Sequence, residues 1–251
     1  MSRCVDRCRY YKFVIIEQED NVALWYHYCS KYDRWFLSIS KMEDFARREC
    51  SEQVINVDYQ SLVSEVFGLI KKCNQQFQLL CKKCNITEGV LLREDFEIAS
   101  ALTKLPAGED DFWNQTASLA KLFDISANSM REFVRQEAAK RHINLENLTK
   151  RIFSGDSFEN LGTIKLLKIL ATITNDSRYE HVFKIWSAIR RLRHLRAHIL
   201  EGKSLKEVAE ALETFGENYP PRNYLNLWTK VIQELKASLE MMSELLKELQ
   251  K

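Results

Sequence analysis

Only ten of the 251 positions carry a residue that breaks regular helices: seven Gly and three Pro. Average usage, about 12% for the two together, would give roughly thirty. Gly supplies the left-handed backbone that tight turns need, and Pro removes an amide donor. A chain so poor in both cannot make the many turns of an all-β sandwich or barrel. It is equally unlike a collagen or a Pro/Gly-rich disordered chain. The expectation is a mainly α protein, a helical bundle with few and short connections.

One segment departs from this pattern. Residues 10–40 are rich in aromatic and β-branched side chains, interrupted by Glu19-Asp20-Asn21 and by Ser30-Lys31-Tyr32-Asp33. That alternation predicts a small N-terminal antiparallel β element of two or three strands. Gly is absent from both presumed turns, although tight hairpins favour it. The chain thus reads as a β-rich segment over 1–60 and a helical domain over 61–251. The aromatic residues of the segment, among them Trp25, Tyr26, Trp35 and Phe36, are read as core rather than as a base-stacking surface.

Helical spacing begins near residue 60. Leu62, Val63, Val66, Leu69, Ile70, Cys73, Phe77 and Leu80 recur every three or four positions, and the run is expected to end near Cys84-Asn85. A second helix is expected over 91–104, ahead of Pro106. A third opens on Glu109-Asp110-Asp111, where carboxylates suit the positive end of the helix dipole. A fourth is expected from a cap at Ser126–Asn128 to about 143, and a fifth after Ser157. The sixth covers 178–200 and is stopped by Gly202. Ser204 and Glu207 then match a capping box, opening a short helix to about Glu213, and Pro220-Pro221 breaks the chain before the last one.

That last helix has the most regular pattern in the sequence. Leu225, Trp228, Ile232, Leu235, Leu239, Met242, Leu246 and Leu249 alternate spacings of three and four, an a/d heptad seam. It is read as a bundle helix packed along its own domain. The competing reading is a dimerisation coiled coil.

Several function classes drop out. No apolar run approaches the roughly 20 residues of a membrane span, and the charged start MSRCVDRCRYYK is unlike a secretory leader. Seven Cys, an odd count, are expected to be thiols in a reducing compartment, so a cytoplasmic setting is expected. Cys4, Cys8, Cys81 and Cys84 are the candidates for a zinc site, but their spacing is poor for one. No Gly-rich phosphate loop and no G-x-S-x-G element is present, and no cofactor is implied.

Charge is what singles out one stretch. The net charge is +2, yet residues 178–206 hold eight basic and two acidic groups, whereas residues 207–251 hold five basic and eight acidic. A concentrated basic patch is a candidate polyanion site. At its centre is Ile189-Arg190-Arg191-Leu192-Arg193-His194-Leu195-Arg196-Ala197-His198-Ile199-Leu200. Ile185, Ile189, Leu192, Leu195 and Ile199 form its apolar stripe, so the basic groups project from the other faces. On an ideal helix His194 and His198 lie about 40° apart, whereas Arg193 and His198 lie about 140° apart. An Arg193–His198 pair acting on one phosphate therefore requires a local irregularity or a second chain.

The run Arg193-His194-Leu195-Arg196-Ala197-His198 resembles the R-x4-6-H motif of the HEPN superfamily, helical nuclease domains of prokaryotic toxin and defence systems and of some eukaryotic RNases. The close resemblance is confined to this stretch. It implies metal-independent endoribonuclease activity with Arg193 and His198 at the scissile phosphate, often in a composite homodimer site. His194 would be a supporting polar group, and Arg190, Arg191 and Arg196 would hold RNA phosphates. A toxin or antiviral-defence effector, controlled by a cognate antitoxin or other regulatory protein, is the implied role. The competing class is a non-catalytic helical module that binds a partner or a nucleotide. A solvated basic face without further function, and metal binding by His194 and His198, are the other readings. No Glu completes an H-E-x-x-H pattern, because Leu195 stands in that place.

Overall fold

The computed structural model describes the backbone of residues 11–17, 23–29 and 34–36, together with residues 51–193, 203–221 and 223–250; side chains are described from Tyr59 onward, except at 203 and 204. The chain divides into two compact units, Met1–Ser61 and Leu62–Lys251.

In the first unit, β1 (Tyr11–Glu17), β2 (Ala23–Cys29) and β3 (Arg34–Phe36) form an antiparallel sheet in the order β1-β2-β3. The register pairs Tyr11 with Cys29 and Glu17 with Ala23, and His27 with Phe36 across the second ladder.

The chain is mainly helical. The first helix, α1 (Ser51–Lys83), begins nine residues earlier than the spacing predicts. Its polar start, Ser51-Glu52-Gln53, has no apolar periodicity to announce it. From Val63 to Cys81 its inner face is buried. Next comes α2 (Phe96–Thr103), shorter than the predicted 91–104. The reason is a side-chain clamp. Asn74 of α1 accepts hydrogen bonds through Oδ1 from the backbone N–H groups of Leu91 and Leu92 at 3.0 and 2.9 Å, and donates through Nδ2 to the Leu92 carbonyl and to Glu94. Residues 91 and 92 are held in a bend outside the helix, and Asp95 caps the helix by accepting from Ile98 N–H at 3.0 Å.

The third helix, α3 (Glu109–Ala120), carries its three carboxylates in the first turn as expected and continues into a 3-10 turn, Lys121–Phe123. Helix α4 (Asn128–Lys140) follows. Its N-cap position is Ala127, with no side-chain cap; Asn128 is already helical and accepts from Arg131 instead. A helix that the sequence reading passes over, α5 (Leu145–Ile152), is capped by Asn144, which accepts from Asn147 N–H at 3.0 Å. Two turns are too few to display a convincing period. The remaining helices are α6 (Thr163–Thr174), α7 (Ser177–Leu192), α8 (Lys203–Thr214) and α9 (Tyr224–Leu249). Helix α8 starts at Lys203, one residue before Ser204, so Ser204 is not the N-cap that a capping box requires.

The heptad seam of α9 is covered by the chain itself. Leu225, Trp228, Ile232, Leu235, Leu239, Met242 and Leu246 are buried, and Leu249 is half-buried. Leu227, Val231, Ser238, Ser243 and Leu245 are buried as well, so the helix hides a face wider than a coiled-coil seam. The seam is therefore a core surface of the helical unit, not an exposed dimerisation stripe.

The hub of this core is α7, which packs against α3, α6, α8 and α9. Seven of its sixteen residues are buried: Tyr179, Val182, Ile185, Trp186, Ala188, Ile189 and Leu192. Trp186 donates from Nε1 to Ser238 Oγ of α9 at 3.0 Å, and the Ser238 hydroxyl in turn donates to the Leu235 carbonyl at 2.7 Å. The indole and the hydroxyl are thus both satisfied inside the core, as buried polar groups must be. Between α3 and α9, Phe112 meets Trp228 edge-on at 6.2 Å. Among the described residues, no helix is long and apolar enough to cross a membrane.

Candidate nucleic-acid interface at the end of α7

The described part of the basic stretch occupies the last turn of α7. Arg190 and Arg191 lie within that turn, and Arg193 is its C-cap residue, its N–H bonded to the Arg191 carbonyl. The single helix expected over 178–200 is thus interrupted: α7 ends at Leu192, well short of Gly202. Arg193 lies one residue past the last helical residue, with its backbone still in the right-handed helical region. Cations are electrostatically favoured here, where unsatisfied carbonyls give the helix end a partial negative charge. His194, Arg196 and His198, with Leu195 and Ile199, lie outside the described residues. The described part of the expected apolar stripe, Ile185, Ile189 and Leu192, is buried.

Trp186, Arg190 and Arg193 are spaced by four and three residues, so they lie along one face of α7. The 3-10 turn after α3 crosses that face. Phe123 stacks at a tilt on Trp186 with ring centroids 5.1 Å apart. That contact places the next residue, Asp124, beside the two arginines one and two turns further on. Asp124 accepts from Arg193 Nη1 at 3.3 Å through Oδ2, and its Oδ1 lies 3.7 Å from Arg190 Nη2. The three side chains are only half-exposed, at 31 to 40%. Arg191 turns the other way and pairs with Glu210 of α8 at 3.4 Å. The sequence gives no hint of either partner, because Asp124 lies 69 residues from Arg193.

The other arginine–carboxylate pairs described are tighter. Arg93–Asp95 and Arg141–Glu137 close at 2.5 Å. Arg178 holds Asp176 and Glu248 at 2.7 Å each, and Arg135 holds Glu159 at 2.5 Å and Glu132 at 2.9 Å. Those guanidiniums are closely paired, although Arg135 and Arg178 are about as open to water as Arg190 and Arg193. Among the arginines described as paired with a carboxylate, the three at the end of α7 have the longest contacts.

An open cleft of about 810 Å³ lies elsewhere, between the loop after α1 and the start of α4. It is lined by Glu88, Asn128, Arg131, Glu132, Arg135 and Glu159 among others. Its arginines already have partners: Arg131 donates to Asn128 and to the Leu161 carbonyl, and Arg135 to Glu132 and Glu159. The cleft therefore offers a polyanion little free positive charge.

Of the cysteines whose side chains are described, Cys73 and Cys81 are core groups and Cys84 is half-buried. Cys73 is buried and donates to the Leu239 carbonyl at 3.4 Å, and burial pushes its thiol up to about 12. Burial also pushes the Cys81 thiol up. Zinc binds thiolates, so both shifts work against a metal at these positions. Among the described residues, no group of three or more His, Cys, Asp or Glu is arranged to hold a metal ion. Cys4 and Cys8, which the zinc alternative invokes, lie outside them.

No protein-family model, curated protein or solved structure matches the chain.

Proposed function

We propose that the protein is a HEPN-like, metal-independent endoribonuclease that cleaves RNA at the exit of α7, with Arg193 and His198 as its catalytic residues. The observation that supports this reading is the convergence of Arg190 and Arg193 on a single oxyanion, at the point where the Arg193–His198 motif begins. Two guanidiniums directed at one carboxylate suit a phosphate equally well, because the planar fork of donors fits both anions.

The chemistry requires no cofactor. RNA carries its nucleophile, the 2′-OH. His198 takes the 2′-OH proton as a bond forms from O2′ to phosphorus; the bond from phosphorus to O5′ breaks as that oxygen takes a proton from water, and His198 then gives its proton back to the solvent. Arg193 holds the charge that builds on the non-bridging oxygens. His194 supports this pair, while Arg190, Arg191 and Arg196 hold neighbouring phosphates. The products are a 2′,3′-cyclic phosphate and a 5′-hydroxyl. In the full reading the chain is a cytoplasmic toxin or antiviral-defence effector, acting as a homodimer under an antitoxin or other regulatory protein.

A second reading, a non-catalytic helical module for a partner or a nucleotide, draws on the same contacts together with that of Arg191: Arg190, Arg191 and Arg193 each face a carboxylate. Exposed pairs of this kind contribute about 0 to 1 kcal/mol, so an incoming phosphate can displace them. End-group analysis of RNA exposed to the purified protein in excess EDTA separates the two readings. A 2′,3′-cyclic phosphate and a 5′-hydroxyl are expected. Intact RNA favours the binding module, and cleavage that requires an added metal ion contradicts the nuclease mechanism. Growth arrest on expression of the wild type, but not of His198→Ala, is the expected counterpart in cells.

A further inference from the structure

We propose that Asp124 holds the place of a substrate phosphate between Arg190 and Arg193, as an internal competitor that a single-stranded RNA backbone must displace. The inference rests on the assignment of this patch as the RNA site and adds a residue that the motif does not contain.

Three observations carry it. The first is position. Asp124 reaches both guanidiniums with one carboxylate, Oδ2 to Arg193 at 3.3 Å and Oδ1 toward Arg190 at 3.7 Å. A phosphate bridging the same two groups would present two oxygens in the same way.

The second is looseness. The structural arginine pairs elsewhere in the fold close at 2.5 to 2.9 Å. The Asp124 contacts, at 3.3 and 3.7 Å, are longer by 0.4 Å or more, and both partners are partly open to water. A contact of this kind is weak enough to exchange.

The third is anchoring. Phe123 is buried, 4% exposed, and packs on Trp186, whereas Asp124 itself is exposed. The backbone at this point is held by the core. When RNA enters, the carboxylate can swing aside without the turn moving. Asp124 then becomes a negative charge next to a bound phosphate, and it lowers affinity instead of raising it.

Fluorescence anisotropy with a labelled single-stranded 2′-O-methyl RNA tests this on the full chain. The probe carries the phosphates without the attacking hydroxyl. Asp124→Asn keeps the shape and removes the charge; it is expected to tighten binding about fivefold at low salt, the scale of one exposed ion pair or slightly more. Adding Arg190→Ala to that variant is expected to abolish the gain. Glu88→Gln, which frees Lys82 rather than an arginine of α7, is the control for net charge and is expected to change binding less than twofold. Unchanged or weaker binding by Asp124→Asn, or an equal gain from Glu88→Gln, overturns the role of Asp124. In that case the patch assignment still stands if Arg190→Ala/Arg193→Ala binds less RNA than the wild type. A wild type that binds no RNA, or binds it no better than that double variant, overturns both.

Discussion

The two ends of α7 face opposite physical demands. Around Trp186 the helix is surrounded by α3, α6, α8 and α9, and its one polar atom is paired with Ser238. One turn later Arg190, Arg191 and Arg193 meet water and loosely held carboxylates. The first region gains from close packing and loses heavily if disturbed. The second contributes little to stability and is therefore free to exchange partners. A single helix thus carries both the centre of the fold and the edge where binding is proposed, and Phe123 on Trp186 couples them.

The largest effect is expected in the packed region. Trp186→Ala should cost about 3 to 5 kcal/mol, the range for deleting a buried large aromatic, read from the urea midpoint of unfolding. A loss under 1 kcal/mol would mean that α7 is not the hub described.

Asn74→Ala comes next, at about 2 to 3 kcal/mol. It leaves the amides of Leu91 and Leu92 and the Leu92 carbonyl without their partner inside the protein. Hydrogen exchange at Leu91 and Leu92 is expected to quicken along with the loss of stability. Unchanged protection of those amides would break the clamp argument.

A smaller and pH-dependent effect is expected at Glu137, whose side chain is 5% exposed. Burial raises its carboxyl, but hydrogen bonds from Lys140 and Arg141 outweigh that and hold it below the ordinary carboxylate range. A depressed carboxylate stabilises the fold above its unfolded value and loses that contribution as pH falls through the folded one. Wild type is therefore expected to exceed Glu137→Gln in stability at pH 7, and the gap should close in acid, below about pH 4.5. A gap that stays constant with pH would contradict the ion pairing.

The smallest effect on stability is expected at the exposed end. Asp124→Asn should shift unfolding by less than about 1 kcal/mol, in contrast to Trp186→Ala, although it lies only one residue from the Phe123 contact. A shift as large as that of the tryptophan would erase the distinction between the two regions.

Much of the helical core was legible in residue spacing. The a/d positions of α9 and the stripe Ile185-Ile189-Leu192 of α7 are buried as their periods require. The scarcity of Gly and Pro correctly announced a mainly helical chain. What escaped has a common cause. The Asn74 clamp and the Asp124 contact join residues 17 to 69 positions apart, and local periodicity carries no information about such pairs. The α7 terminus at Leu192 escaped for a related reason: the apolar stripe runs on through Leu195 and Ile199, so spacing alone gave no sign of the break. At the candidate site, the sequence picked out Arg190, Arg191 and Arg193 from charge and motif, but not the carboxylates that occupy them.

The central claim concerns chemistry at the exit of α7, and a ribonuclease assay of purified wild type beside Arg193→Ala and His198→Ala, all in EDTA, tests it most directly. The expected result is cleavage by the wild type and none by either variant, with the helical circular dichroism of all three superimposable. Undiminished cleavage by both variants would contradict it.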